Sequence, residues 1–182
     1  MAGADYDAVI LAGGEARRFG GQDKPGALVG GRSLIARVAA AVPDAVRLIV
    51  VGPERPDLPP AVFVREDPPG SGPIPALRAG LVEVRSPRLV LLAADLPFLR
   101  NEQVKILLEA ADAVLVDSTG REQWLTGAWH TDRLRDALAG YAGASLRGLL
   151  VPLNPARVPV ADDWFDCDTL ADLERARTIE ET

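Results

Sequence analysis

The stretch Asp7–Lys24, DAVILAGGEARRFGGQDK, joins an apolar run to a glycine-rich, basic segment. Its first five residues predict a buried strand, because a continuous run of β-branched residues and leucine suits a strand covered on both faces. Gly13 and Gly14 then permit a tight turn, and successive backbone N–H groups in such a turn can form a nest for an anion. Three cations follow in the same segment: Arg17, Arg18 and Lys24. The stretch therefore predicts a phosphate-binding loop after the first strand; a structural turn followed by a solvated basic face is the alternative.

The rest of the chain alternates short apolar runs with amphipathic ones. Four further runs predict strands: Arg47–Val51, Ala61–Val64, Arg88–Ala93 and Ala113–Val116. Five segments predict helices: one capped by Ser33 and ending near Val42, Ile74–Val84, one capped by Asn101 and ending near Ala110, Thr131–Ala139, and a last one that opens at Thr169. This alternation is typical of a three-layer α/β/α protein with a mostly parallel, Rossmann-like sheet. Because no linker or repeat divides the sequence, we expect one domain over residues 1–182.

Composition excludes several classes of function. The formal net charge of −6 argues against nonspecific nucleic-acid binding. One cysteine and one histidine are too few for a zinc site of the Cys/His type, so any metal would be bound by oxygen, which suits Mg²⁺. The N-terminus has no basic region before its apolar run, and no apolar segment is long enough to span a bilayer. We therefore expect a cytoplasmic protein without a membrane partner.

Ligands of parallel α/β sheets bind beyond the carboxyl ends of the strands, so the residues that follow each strand are candidates. Asp95 follows the fourth strand, where a carboxylate is well placed to bind a metal, although an Asx-turn or helix cap would look the same. Asp166 and Asp168 are two residues apart and would share one face of an extended segment, which could bring a second carboxylate, such as Asp168, to a metal. The alternative is that Asp168 or Thr169 only caps the last helix. Cys167 would then face the other way, as a buried small apolar residue. Gly72, near a helix start, leaves N–H groups free for an anion or a base edge.

Two familiar phosphate motifs are absent. The sequence contains no G-x-x-x-x-G-K-[ST], so it has no P-loop, and no G-x-G-x-x-G, which argues against a dinucleotide site and a nicotinamide oxidoreductase.

The proline-rich stretch from Gly52 to Pro60 is interpreted as a surface loop. In the segment from Asp117 to His130, strict alternation would put Trp124 and Trp129 on opposite faces of a strand.

Four stretches together resemble the nucleotidyltransferases of molybdenum cofactor biosynthesis, and most of all the molybdenum cofactor guanylyltransferase (MobA) family. They are LAGG…RRFGGQDK, EDPPGSGPIPALRAGL, AADLPFL and WFDCDTLADL, and the match runs from about Val9 to Leu173. The first is the most specific. The resemblance implies a fold of the nucleotide-diphospho-sugar transferase type and GTP, Mg²⁺ and molybdopterin cofactor as ligands. Molybdoenzymes and cofactor-delivery proteins would be downstream partners.

The resemblance also implies roles for individual residues. Backbone groups of Leu11, Ala12 and Gly13 would contact guanine. The phosphates would be held by Gly14, Arg18 and Lys24, Asp67 would lie near the base or ribose, and Asp95 would bind Mg²⁺. Gly52 falls where relatives often have a polar base contact, so any contact there must come from its backbone. The DCDT stretch, Asp166–Thr169, departs from the N-x-N-T form common in relatives, which bears mainly on the acceptor side.

The implied reaction is nucleotidyl transfer, in which a phosphate oxygen of the molybdopterin cofactor attacks the α-phosphorus of GTP and pyrophosphate leaves. Lys24, Arg18 and Asp95 would be the catalytic residues, acting through positioning and charge neutralisation. The alternatives are a related transferase with another base or acceptor, such as CTP:molybdopterin cytidylyl transfer or transfer to phospholactate or a sugar phosphate, and a non-catalytic nucleotide or cofactor carrier.

Overall fold

The computed structural model describes residues 5–13, 21, 23–160 and 164–180. It contains nine strands: β1 (Tyr6–Leu11), β2 (Leu28–Val29), β3 (Arg32–Ser33), β4 (Arg47–Val51), β5 (Val62–Val64), β6 (Arg88–Ala93), β7 (Ala113–Val116), β8 (Glu122–His130) and β9 (Ala156–Pro159). The helices are α1 (Leu34–Ala40), α2 (Pro73–Glu83), α3 (Asn101–Glu109), α4 (Thr131–Ala139), α5 (Leu146–Leu150) and α6 (Leu170–Glu180), with a 3₁₀ turn at Val151–Leu153. These counts refer to the described residues.

A seven-stranded sheet forms the middle layer, in the order β5-β4-β1-β6-β8-β7-β9. Strands β5, β4, β1 and β6 are parallel, whereas β8 runs antiparallel to both of its neighbours. The mostly parallel sheet is therefore confirmed. The chain builds outward from β1 through β4 to β5 and then crosses to β6 on the other side of β1, and this reversal opens a crevice at the carboxyl ends of these strands.

Alternate residues of β1 point into two separate apolar cores. Ala8 and Ile10 belong to a core that includes residues of α1 and α3. Val9 and Leu11 belong to a core that includes residues of α2, α4 and α5. Helices therefore cover both faces of the sheet, which confirms the three layers and explains why β1 is a continuous apolar run.

Several element boundaries differ from the sequence predictions. Ser33 caps α1 as predicted, since its hydroxyl oxygen accepts from the Ala36 N–H at 3.2 Å. Asn101 does not cap α3, because it lies inside the first turn and its side chain donates instead to the Ala41 carbonyl, 60 residues away along the chain. At the start of α6, Thr169 and Asp172 form a reciprocal cap: the Thr169 N–H donates to the Asp172 carboxylate at 2.8 Å, and the Asp172 N–H donates to the Thr169 hydroxyl oxygen at 3.2 Å.

The two tryptophans of β8 are not on opposite faces. The pairing of β7 with β8 shifts register between Val114 and Leu115, so Val114 faces Gly127 whereas Leu115 faces Gln123. This bulge adds residues to β8 and breaks the alternation within it. Both Trp124 and the fully buried Trp129 consequently pack against the same core as α2.

Candidate active site

A cleft with a volume of about 480 Å³ lies at the carboxyl ends of β1 and β6. Its walls come from the turn after β1, the turn after β6 and the loop after β4. The predicted site residues that line it are Leu11, Ala12, Gly13, Lys24 and Asp95. It is also lined by residues to which the sequence analysis gave no role in binding, among them Asp23, Arg55, Arg65 and Leu125.

Lys24 lies between two of the predicted carboxylates. Its Nζ is 2.5 Å from Asp95 Oδ2 and 3.1 Å from Asp168 Oδ1. Asp95 and Asp168 are brought together because the Cys167 N–H donates to the Asp95 carbonyl at 3.0 Å, which ties the segment before α6 to the end of β6. Three stretches that are remote in sequence thus meet at one point.

Charge and burial compete at this cluster. Burial alone would lower the pKa of Lys24, but the carboxylates of Asp95 and Asp168 outweigh it and raise that pKa, so the side chain is a cation at neutral pH. Burial raises the pKa of Asp95 in spite of Lys24. The pKa of Asp166 is raised by burial and then by Asp168. Lys24 thus pairs with two carboxylates, and a third, Asp166, interacts with them electrostatically; this excess of acidic groups favours a further cation.

Asp95 offers a free ligand atom to such a cation. Its Oδ1 is buried and has no hydrogen-bond partner among the described residues, and a buried acceptor without a partner is costly unless an ion or water satisfies it. In residues 5–13, 21, 23–160 and 164–180, no group of three His, Cys, Asp or Glu side chains could hold a metal ion. Because Mg²⁺ is usually bound by one or two carboxylates with phosphate oxygens and water, the pair Asp95 and Asp168 fits that ion.

The remaining predicted residues lie around the cleft or outside the described chain. Gly52 packs against the turn after β1, since a Cβ on it would lie 3.2 Å from Ala12 backbone atoms. Asp67 is exposed, and Gly72 begins α2 with a φ of 109°, but neither lines the cleft. Gly14, Arg17 and Arg18 lie outside the described residues, so their roles stay predictions.

Two buried or paired side chains at the cleft were missed by sequence reasoning. Glu66 is 6% exposed, accepts a hydrogen bond from the Gly70 N–H at 2.8 Å and lies against Gly13. Arg55 binds Asp23 through both terminal nitrogens, at 2.8 and 2.6 Å. The only available signal was that Asp23 directly precedes the predicted phosphate-binding lysine.

The only histidine in the sequence is far from the cleft along the sheet. His130 ends β8 opposite Arg88, at the start of β6, whereas Asp95 follows the end of β6. Its Nδ1 is 3.0 Å from Asp112, whose carboxylate also binds Arg133. Cys167 is buried among apolar residues, as predicted. Neither His130 nor Cys167 is therefore placed to act as a general acid or base beside Lys24.

A mostly parallel sheet whose first strand leads through Ala12 and Gly13 into a cleft, with a lysine held by carboxylates, is typical of nucleotide-binding α/β proteins. The chain belongs to the MobA-like NTP transferase family, whose domain model matches residues 8–157. Similar proteins include the molybdenum cofactor guanylyltransferases of Bradyrhizobium sp. and Rhodopseudomonas palustris, at 32% and 33% identity; each match covers 94% of this chain and 91% of the relative.

Solved structures of the same fold include nucleotidyl transferases. One is a nucleotidyl transferase from Methanothermobacter thermautotroptrophicus, with a TM-score of 0.79 and 21% identity over 97% of this chain and 98% of that one. Another is the molybdopterin-guanine dinucleotide biosynthesis protein A of Archaeoglobus fulgidus, with a TM-score of 0.67 and 23% identity over 95% and 97% of the two chains. At these identities the likeness establishes the fold. No helix in the described part of the chain is both long and apolar enough to cross a membrane.

Proposed function

We propose that this protein transfers GMP from GTP to the terminal phosphate of the molybdopterin cofactor and releases pyrophosphate. The observation on which this rests is the position of Lys24, held between Asp95 and Asp168 in the cleft beside the turn after β1. Relatives at 32% and 33% identity are named molybdenum cofactor guanylyltransferases, which supports guanine as the base and the molybdenum cofactor as the acceptor.

The turn after β1 would bind the guanosine through its backbone. The Ala12 N–H already donates to the Val51 carbonyl at 2.9 Å, so the groups left for a base are the Ala12 carbonyl and the backbone of Gly13. Gly52 supports this turn, since it lies against Ala12 with no side chain between them. Base contact by Gly52 and Asp67, phosphate contact by Gly14 and Arg18, and a contact from Gly72 remain part of the proposal.

Lys24 would neutralise the phosphates of the donor. A cation beside the β- and γ-phosphates stabilises the charge that develops on leaving pyrophosphate. Asp95 and Asp168 would hold Mg²⁺, which when bound supplies charge neutralisation at the phosphate oxygens. The unpartnered Asp95 Oδ1 and the excess of carboxylates around Lys24 support that assignment.

The transfer needs no general base from the chain. A phosphate monoester is already ionised near neutral pH, so its oxygen can attack the α-phosphorus directly while the bond between the α-phosphorus and the bridging oxygen of pyrophosphate breaks. This agrees with the placement of His130 at the other end of β6. Catalysis would depend on alignment of the two substrates and on charge neutralisation.

Pyrophosphate release with each of the four nucleoside triphosphates, with molybdopterin cofactor, a sugar phosphate, phospholactate or no acceptor added, tests the proposal. Release with GTP and Mg²⁺, only when the cofactor is present, is the expected result. Release with CTP would replace guanylyl by cytidylyl transfer. GTP binding without release would indicate a carrier, and release with a sugar phosphate or phospholactate as the acceptor would replace the cofactor. The variant Lys24→Ala should be inactive. The matched control is Lys105→Ala, at an exposed lysine, which should remain active.

A further inference from the structure

The segment between β1 and Lys24 is contacted at both of its ends by the loop after β4. At the start, Gly52 lies against Ala12, which also donates to the last residue of β4. At the end, Arg55 binds Asp23. One loop therefore touches the residues before and after the predicted phosphate-binding turn.

The Asp23–Arg55 pair has the geometry of a strong, directional interaction. Arg55 Nη1 and Nη2 each donate to a different oxygen of the Asp23 carboxylate, at 2.8 and 2.6 Å, in the two-point arrangement that only a guanidinium can make. Arg55 is nearly buried, with 10% of its side chain exposed, whereas Asp23 is 59% exposed. The hydrogen bonds from Arg55 lower the pKa of Asp23, so the pair stays ionised at neutral pH.

The backbone around Lys24 is fixed by the same contacts. The Asp23 carboxylate also accepts from the Gly26 backbone. Ala27 N–H donates to the Lys24 carbonyl at 3.1 Å, which closes a turn over residues 24–27. A Cβ on Gly26 would lie 2.2 Å from Asp23 Oδ2, so the pair and the turn fit only with glycine there.

We propose that Asp23 and Arg55 are positioning residues that hold Lys24 in the cleft, with its ammonium directed at the phosphates of the bound nucleotide. The inference rests on the proposed function insofar as Lys24 is taken to bind a nucleoside triphosphate. It assigns a role to the loop after β4 that does not involve direct contact with the ligand. A flexible lysine has high rotamer entropy, and fixing its backbone reduces the freedom that must be lost on binding.

The alternative is that Arg55 itself binds phosphate. It lines the cleft, and its charge would suit such a role. However, Nη1 and Nη2 each donate to the Asp23 carboxylate, whose negative charge offsets that of the guanidinium, and Nε is buried rather than open to the cleft. The structure therefore favours positioning over direct binding.

A double-mutant cycle separates the two roles. We expect Asp23→Ala and Arg55→Ala each to lower kcat/KM for GTP by about 10²-fold, because a displacement of about 1 Å at a charged group has that effect. The double variant should also lose about 10²-fold, whereas independent contributions would multiply to about 10⁴-fold. Arg55→Lys should resemble Arg55→Ala, since a single ammonium cannot make the two-point bond. Gly26→Ala should show the same defect with both charges retained.

The matched control is the exposed pair Asp44 and Lys105, whose charged atoms are 3.9 Å apart and whose side chains are each 62% exposed. Removing either of these residues should leave kcat/KM unchanged. Melting temperatures of all variants show whether a kinetic loss reflects less folded protein. Additive losses, a severe defect in Arg55→Ala beside a normal Asp23→Ala, or lower melting temperatures with unchanged kinetic constants would each overturn the inference.

GTP affinity, measured by calorimetry with Mg²⁺ and no acceptor, separates this inference from the proposed function. If the wild type binds GTP but does not turn over, the transferase proposal fails, and equal, non-additive losses of affinity in the same cycle would still support the pair. If the wild type turns over normally and none of the variants in the cycle changes kcat/KM or GTP affinity, only the inference fails. Absence of GTP binding by the wild type would overturn both.

Discussion

Replacing Lys24 by methionine removes a cation that lines the cleft while keeping most of the side-chain volume. Two unit charges about 4 Å apart interact by about 4 kcal/mol at the effective dielectric constant of a partly buried site. Lys24 is 21% exposed, so solvent screens part of this. At about 1.4 kcal/mol per tenfold change, we expect Lys24→Met to lower kcat with GTP by about 10² to 10³-fold.

The same substitution should also destabilise the protein, for a separate reason. Without Lys24, the half-buried Asp95 carboxylate loses the cation that is 2.5 Å away. We expect a loss of about 1–3 kcal/mol in the free energy of unfolding. The loss should lie at the lower end of this range, because burial raises the pKa of Asp95 and the carboxylate can then take up a proton. The double variant Lys24→Met with Asp95→Asn removes both charges, so stability should largely return, whereas turnover should not.

Pyrophosphate release gives the kinetic constants, and urea unfolding gives the stability. Lys105→Met is the matched control, because that lysine is 62% exposed and 3.9 Å from its nearest carboxylate. The reasoning is refuted if Lys24→Met keeps turnover within about threefold of wild type, or if the double variant recovers turnover together with stability.

Three further results are expected. Gly52→Ala should raise KM for GTP, because the new Cβ would press on Ala12 backbone atoms only 3.2 Å away, and steady-state kinetics against the wild type checks this. Burial raises the pKa of the Cys167 thiol to about 12, so alkylation at pH 8 should be slow in the native protein and fast in urea; fast native labelling would contradict the packing. Burial, and after it the charge of Asp44, raises the pKa of Tyr6 to about 12. The unfolded state therefore loses this proton first, so the contribution of Tyr6 to stability is full below pH 10 and about 3 kcal/mol is lost as the pH rises through 12. Unfolding measured over this pH range should show no such loss in Tyr6→Phe.

The sequence predicted those elements whose pattern reflects burial on both faces of the sheet. Strands β4, β6 and β7 begin and end where their apolar runs do. Short β9 was missed because its residues are mostly exposed. The bulge in β8 was missed because it comes from pairing with β7, and its own residues give no sign of it.

The candidate site was predictable where the topology determines it. Lys24, Asp95 and the end of β1 converge because parallel strands end at one edge of the sheet. Asp168 follows from its position just before α6, although its approach to Asp95 and Lys24 depends on the Cys167 N–H bond to the Asp95 carbonyl, which the sequence does not indicate. The Asp23–Arg55 pair joins two loops 32 residues apart, and no periodicity or turn signal indicates such a contact. Side-chain pairing between loops depends on their three-dimensional course, which local patterns do not encode.

The most direct test of the central claim follows the label from GTP in the presence of Mg²⁺ and molybdopterin cofactor. With phosphorus-32 in the α-position, the label should appear in the cofactor product, and with the label in the γ-position it should appear in pyrophosphate alone. Lys24→Met should suppress both. Label from the γ-position in the cofactor, or α-label released as free GMP with no labelled cofactor, would contradict guanylyl transfer by this cleft.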